Sequence, residues 1–396
     1  MSRPTLPLQT FRLKNFKAVR DSGIVRFTPL TVFIGNNGSG KSSLVEGLET
    51  MQAVVADGLD AAMQQWRGFE NIWNQASPHT LRQVGDKRAH YTNPMGFELR
   101  GTWLSKPYSA SMEINTGPGG NEIFIHREEY TIGSRPNRHQ LARDTAGWIY
   151  SGYVDDPPAS EIEVLQSLND GESLLAGQGP GIMNWQFLSL APQSMGNPIA
   201  QKRTGGTIRL AKDGSNIAEF LLSIRKINPD ILDGIVETLQ YVLPYAADVQ
   251  PALTSELERT VYLQLTEKDF KLPGWLLSTG TLRVLALLAV LRHPAPPRLL
   301  IIEEIENGLD PRTINLIVEE MRGAIESGGM QIIITTHSPY LLDLLDLSQI
   351  VVVERDEGGA PVFTRPGDHE SLKKWTDRFS PGRLYTMDQL GRKSYS

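Results

Sequence analysis

One run in this chain has the spacing that phosphate binding demands. In VFIGNNGSGKSSLVEGL, the residues Gly35-Asn36-Asn37-Gly38-Ser39-Gly40-Lys41-Ser42 fit G-x-x-x-x-G-K-[ST], and Ser43 follows. Glycines let successive backbone amides close around an anion, and the helix that follows adds the positive end of its dipole. In such a loop Lys41 reaches the outer phosphates and the Ser42 hydroxyl holds Mg²⁺. Carboxylates come next, in RLLIIEEIENGLDP. Its apolar run ends in Glu303 and Glu304, so a buried strand delivers two acids to its C-terminal edge, where open α/β sheets bind ligands. Alternation along the strand turns the two side chains different ways. Glu303 is thereby assigned to the Mg²⁺ shell and Glu304 to the attacking water, as general base or positioning group. A third strand, IIITTHSP, ends in Thr336-His337-Ser338, where His337 can donate to a γ-phosphate.

The stretch LLSTGTLRVLALLAVLRH poses a separate question. Its apolar helix pattern opens with Ser278, Thr279, Gly280 and Thr281, more donors than a cap needs. An open, glycine-containing helix N-terminus is a good place for an anion. Taken alone, the segment reads as a capped core helix.

These residues need elements to hold them. Residues 8–34 read as short strands, and a helix runs from about Ser42 to Val55. From Arg88 to Ile132, FELRGTWL, YSASMEINT and NEIFIHREEYTI alternate between turns, which predicts an antiparallel sheet with one wet face. In residues 134–212, SEIEVLQSL and IMNWQFLSL read as short helices between polar loops. SNIAEFLLSIRK and PDILDGIVETLQYVL are clearer helices, the second with Asn228 as cap and Pro229 in its first turn. The last third alternates helix 278–293, strand RLLIIEE, helix 311–326, strand MQIIITT, a short helix after Ser338 and strand QIVVVER. WTDRFSPGRLYTMDQLG reads as a terminal helical cap. The expected fold class is α/β: a mostly parallel core sheet, an antiparallel β subdomain and a helical insertion. The expected divisions are an N-terminal lobe at 1–133, an inserted, largely helical lobe at 134–270 and a C-terminal lobe at 271–396.

Composition narrows the class. The 396 residues carry a net charge of −6, so no global basic field advertises nucleic acid. Two local clusters, Arg135, Arg138, His139 and Arg143, then Lys202, Arg203, Arg209 and Lys212, read best as solvated loops. No cysteine is present, which excludes disulfides, thiolate metal sites and a cysteine nucleophile. No secretory signal or membrane-length apolar run is visible, so a soluble, cytoplasmic protein without a membrane partner is expected.

The order phosphate loop, S-x-G-x-x-R helix, Glu-Glu strand end, NGLDP and His resembles ABC-type ATPase heads. The segments RLKNFKAVRD, LSTGTLRVLALLAVL, IIEEIENGLDP and TTHSPYLLD are most similar to the RecF/SMC/OLD-like branch, closest to bacterial stand-alone AAA family ATPases. They cover about 12–60 and 272–345. The resemblance implies a P-loop NTPase fold with ATP and Mg²⁺ as ligand and cofactor. It also implies that Ser278, Thr279 and Gly280 cap the γ-phosphate held by a second protomer, in a homodimer or higher oligomer closed by ATP. Asp310 then equals the D-loop Asp of transporter heads, where many relatives of this branch have His. Ile305 replaces the usual Pro and alters the turn. Glu303 stands where most ABC heads have Asp, and slow hydrolysis is expected.

Several family features have no counterpart. Without heptads there are no coiled-coil arms, and about 60 residues after His337 are too few for the Toprim nuclease domain of OLD proteins. Relatives of this kind act in phage defence or DNA maintenance beside a nuclease or other effector, so an effector subunit and DNA are the implied partners. A competing expectation is a scaffold that restrains a toxin or nuclease subunit without touching nucleic acid. A nuclease hidden in 134–260 is disfavoured, since no acidic-His metal spacing appears there. Gln75 offers a Q-loop glutamine, but its spacing is ambiguous and it reads better as a plain surface residue. Asn15, Phe16 and Lys17 either approach the adenine or pack their strand, and Arg283 supports the signature helix.

Overall fold

The structure, a computed structural model, describes residues 5–391 except 78, 84–87, 135–137, 145–148, 153–167, 179–180, 203–205, 256–257, 370–371, 373–374 and 376–377. The chain divides into two compact units. The first comprises Met1–Trp185, Leu347–Lys374 and Gln389–Ser396; the second comprises Gln186–Asp346 and Trp375–Asp388. This division differs from three consecutive lobes because the chain returns to its first unit after Asp346. The strand Ile350–Arg355 runs parallel to Leu30–Ile34 there and pairs antiparallel with Pro361–Thr364.

The first unit is dominated by an antiparallel sheet. Its described strands lie in the order Ile149–Gly152, His139–Asp144, Ile123–Ile132, Lys106–Thr116, Met95–Trp103, Thr10–Phe16 and Val19–Asp21, with Val25–Arg26 also on Thr10–Phe16. Alternation sorts its faces: Phe11, Leu13, Phe97, Leu99, Met112 and Tyr130 are buried. The opposite face carries cross-strand charges, with Lys14 Nζ 2.6 Å from Glu98 and the Arg12 guanidinium on Asp21. The helix Lys41–Asp57 comes down onto the apolar face at Gly47, where a Cβ would lie 2.7 Å from a Leu13 methyl. Burial of Leu44, Leu48, Met51 and Val54 secures that helix, each such side chain contributing about 1.5–3 kcal/mol.

In the second unit, Leu299–Ile302 and Gln331–Thr336 pair in parallel, joined through the helix Pro311–Glu326. Both strands are buried along their whole length, as a sheet covered on two faces requires. The helix Thr279–Leu291 is buried at every residue from Val284 to Leu291, a core helix rather than an amphipathic one. Asn228 caps Pro229–Val242 by accepting from the Asp230 amide at 3.0 Å.

Two expectations within 134–270 change. The segment expected to be largely helical also holds an antiparallel sheet of Ile199–Ala200, Thr260–Glu267, Ala246–Leu253 and Phe270–Pro273. IMNWQFLSL forms a single 3₁₀ turn at Ile182–Asn184 and then the buried strand Trp185–Leu188. Its Trp and Phe suit a pleated surface, and pairing at the strand's end outweighs any helix propensity: the Glu303 amide donates to Leu188 C=O at 2.8 Å. The helix expected in SEIEVLQSL, and Arg135 and Arg203, lie outside the described residues. The terminal helical cap is the short helix Pro381–Thr386. Among the described residues no helix is long and apolar enough to cross a membrane.

Candidate functional site

The phosphate loop belongs wholly to the first unit. Leu30–Ile34, buried at all its positions, delivers Gly35 at its C-terminal end. A Cβ at Gly35 would stand 2.1 Å from the Val353 carbonyl oxygen, so no other residue fits. Gly40, with φ 114°, starts the helix Lys41–Asp57, and a Cβ there would meet Pro361 Cγ at 2.5 Å. No side chain caps this helix, which leaves its N-terminal dipole for an outside anion. Lys41, 6% exposed, folds its ammonium onto the loop and donates to Gly35 C=O at 2.6 Å and Asn36 C=O at 3.1 Å. The Ser39 hydroxyl is buried without a hydrogen-bond partner, while Ser42 is exposed. Asn37 and Asn36 line the loop's outer turn, where the Ser39 amide donates to Asn36 C=O at 3.1 Å.

Asn15, Phe16 and Lys17 are used in packing. Phe16 is fully buried, Asn15 accepts from Ser77 Oγ at 2.6 Å, and Lys17 pairs with Glu46 at 2.7 Å while standing 3.9 Å over the Trp66 ring. Gln75 is exposed, with its amide on Glu70 C=O. A cavity of about 390 Å³ lies here, lined among others by Lys17, Arg20, Trp73, Gln75 and Arg355.

Glu303, Glu304, His337 and the helix Thr279–Leu291 belong to the second unit. Beyond Ile302 the chain turns sharply, and Glu304 sits in the left-handed region at φ 47°. Such a conformation costs a non-glycine residue about 1–3 kcal/mol and persists only where surrounding bonds hold it. Those bonds are present: the Glu304 amide donates to Thr335 Oγ1 at 3.0 Å, and its carboxylate accepts from Asn307 Nδ2 at 2.5 Å. Glu303 is half-buried and Glu304 exposed, so the adjacent acids meet different surroundings. His337 follows the end of Gln331–Thr336, its amide donating to the Glu306 carboxylate. The other Glu306 oxygen is buried without a partner. Arg283 lies near both Glu304 and Glu306 and donates to Leu190 C=O at 2.8 Å; burial lowers its pKa and the two acids oppose that shift.

Ser278 is an ordinary cap in its local bonding, accepting from the Thr281 amide at 3.1 Å. Thr279 and Gly280 form the first turn against the Glu306–Asp310 loop: a Cβ on Gly280 would lie 2.7 Å from Gly308 C=O, and Thr279 Oγ1 is next to Gly308. Asp310 caps Pro311–Glu326, accepting from the Arg312 and Thr313 amides and from Thr313 Oγ1 at 2.6 Å. The Thr313 bonds hold its carboxyl below the ordinary range. Among the described residues no cluster of three or more His, Asp or Glu forms a ready-made metal cage. Mg²⁺ binds through one or two protein groups plus substrate phosphates rather than a full cage, so it needs no such cluster.

Two family models match parts of this chain. Residues 7–74 match a family described as "AAA ATPase domain", and residues 199–343 match one described as "AAA domain, putative AbiEii toxin, Type IV TA system". No curated protein matches at a comparable level. Among solved structures, an SmcHead bound to the C-winged helix domain of ScpA superposes with a TM-score of 0.50 at 12% identity, over 90% of this chain and 97% of that one. The fold is that of an SMC-type ATPase head. Two further SMC heads align with lower scores. One, from Thermotoga maritima, has TM-score 0.46 and 15% identity over 90% and 98% of the chains. The other, from Pyrococcus furiosus with an extended coiled coil, has TM-score 0.48 and 12% identity over 94% and 99%. In this head, reading the sequence missed Glu306, Asn307 and Thr335, which hold His337 and Glu304. Their only signal was position: they flank the acids and the histidine on the same strand ends.

Proposed function

We propose that this head binds and hydrolyses ATP and acts as an ATP-gated switch. Residues Gly35 to Ser43 hold the phosphates, with Lys41 leaving its loop carbonyls for phosphate oxygens. Ser42 and Glu303 would supply oxygen ligands to Mg²⁺, which when bound would neutralise phosphate charge. Glu304 orients the attacking water and takes its proton, and His337 donates to the γ-phosphate. Ser278, Thr279 and Gly280, with Asp310 behind them, engage the nucleotide of a second protomer. The observation that carries this reading is the uncapped helix behind Gly40, closed in by glycines that no larger residue can replace. Phosphate release from MgATP by the purified chain tests it; turnover equal in wild type and Lys41→Ala contradicts it.

The switch works in phage defence or DNA maintenance through a partner effector. The toxin-system description attached to residues 199–343 favours a toxin or nuclease subunit as that partner. It also supports the second reading, a scaffold that restrains the effector without contacting nucleic acid. One basic cluster is already weakened as a DNA site, because Arg143 turns inward to Glu128, its Nε 3.3 Å from the buried carboxylate. Duplex DNA binding measured at two salt concentrations separates the readings, since phosphate-dominated binding falls steeply with salt.

A further inference from the structure

The phosphate loop rests on a hairpin that the motif does not include. Ile350–Arg355 and Pro361–Thr364 meet it at three of its glycines: Val353 C=O fills the space of a Gly35 side chain, Pro361 that of Gly40, and Arg355 reaches Gly38. Gly38 is the exception in how it is held. Its φ is 73°, and no atom lies within 4 Å of where its Cβ would be, so packing does not fix it. Arg355 Nε donates to its carbonyl at 2.8 Å, and on the far side of the same peptide the Ser39 amide donates to Asn36 C=O. Arg355 Nη1 also donates to Gly359 C=O at 2.5 Å, tying the hairpin turn to the loop. The guanidinium is exposed and lines the cavity of about 390 Å³ with Lys17 and Arg20.

The geometry points to Arg355 as a positioning residue for the nucleotide, a role that rests on the ATP-binding reading above. It locks the Gly38–Ser39 peptide, so the loop closes around phosphate without paying to order that turn, and its charge adds to the field that draws a polyanion into the cavity. A hydrogen bond from a charged donor in such a place is worth roughly tenfold in affinity.

The test is calorimetric titration of the full chain with ATP, in wild type, Arg355→Met, Arg355→Lys and Lys41→Ala, with the thermal midpoint of each nucleotide-free protein measured alongside. The expected result is about tenfold weaker ATP binding in Arg355→Met, partial recovery in Arg355→Lys, and nucleotide-free midpoints at the wild-type value. Arg355→Met binding ATP as wild type does overturns the proposal. So does a midpoint that falls together with the affinity, which marks a merely structural contact. Wild type and Lys41→Ala binding alike removes the ATP-binding reading itself, and this proposal with it.

Discussion

Gly280 and Gly308 touch where only glycine can stand: a Cβ on the first would lie 2.7 Å from the carbonyl oxygen of the second. The helix Thr279–Leu291 and the loop that follows Glu303 and Glu304 therefore pack as one piece within their unit. Gly308 itself has φ 71°, and Arg283 reaches alongside it. Movement of the Ser278 turn cannot leave the Glu304–Asp310 segment undisturbed.

Gly280→Ala accordingly destabilises the protein although alanine is the better helix former. Forcing the Gly308 carbonyl aside costs about 1–3 kcal/mol, more than the ~1 kcal/mol that alanine gains in a helix. Urea unfolding measures the difference; a variant as stable as wild type contradicts the close contact.

On the proposed reading Lys41→Ala loses at least two charge-assisted hydrogen bonds to phosphate, each worth about 1.5–3 kcal/mol, so ATP affinity is expected to fall by at least about a hundredfold. Titration with labelled ATP reads this directly. Wild-type affinity in the variant removes the phosphate-binding role.

Asp310→Ala removes a cap that serves two amides and a hydroxyl and costs about 1 kcal/mol, whereas Asp310→Asn costs less. The folded carboxyl titrates below its ordinary 3.8, so its stabilisation is present above that pH and is lost as pH falls through the folded value. Unfolding at pH 7 and near pH 3 tests both statements: the wild-type advantage over Asp310→Ala narrows in acid. An advantage that holds constant to low pH refutes the linkage.

His126 gives a second acid dependence of different origin. Burial, and then the charge of His90 with its ring 4.4 Å away, push the His126 pKa from 6.5 down to about 4. The unfolded chain therefore binds a proton first, and stability falls as pH drops from about 6.5 to about 4, with no contribution above that window. His126→Phe flattens the stability profile in this window. A profile unchanged by the substitution contradicts the assignment.

What the sequence shows and hides follows from the range of the forces involved. The phosphate loop and its helix were legible because glycine conformation, apolar burial and capping act over a few residues. The same holds for Asn228, for the helix Pro311–Glu326 and for the alternating strands between Met95 and Ile132. Trp185–Leu188 was misread as helical because four buried residues have no period of their own, and only pairing beyond Leu188 decides their form. Arg355, Thr335 and Glu306 were invisible for a related reason. Each acts through a backbone group more than 25 residues away, Arg355 at a separation of 317, and nothing in the local pattern records such a partner. The left-handed conformation of Glu304 was equally hidden, since a pair of acids at a strand end reads the same in any backbone region.

The central claim is that Ser278 and Gly280 meet the nucleotide of another protomer. It is tested most directly by light scattering on Glu304→Gln, which the proposed role of Glu304 predicts to bind ATP but to hydrolyse it about 10²–10⁴-fold more slowly. The predicted result is a doubling of mass on addition of MgATP, abolished when Ser278→Arg is added to the same chain. A mass that ATP leaves unchanged while titration shows the nucleotide bound contradicts it.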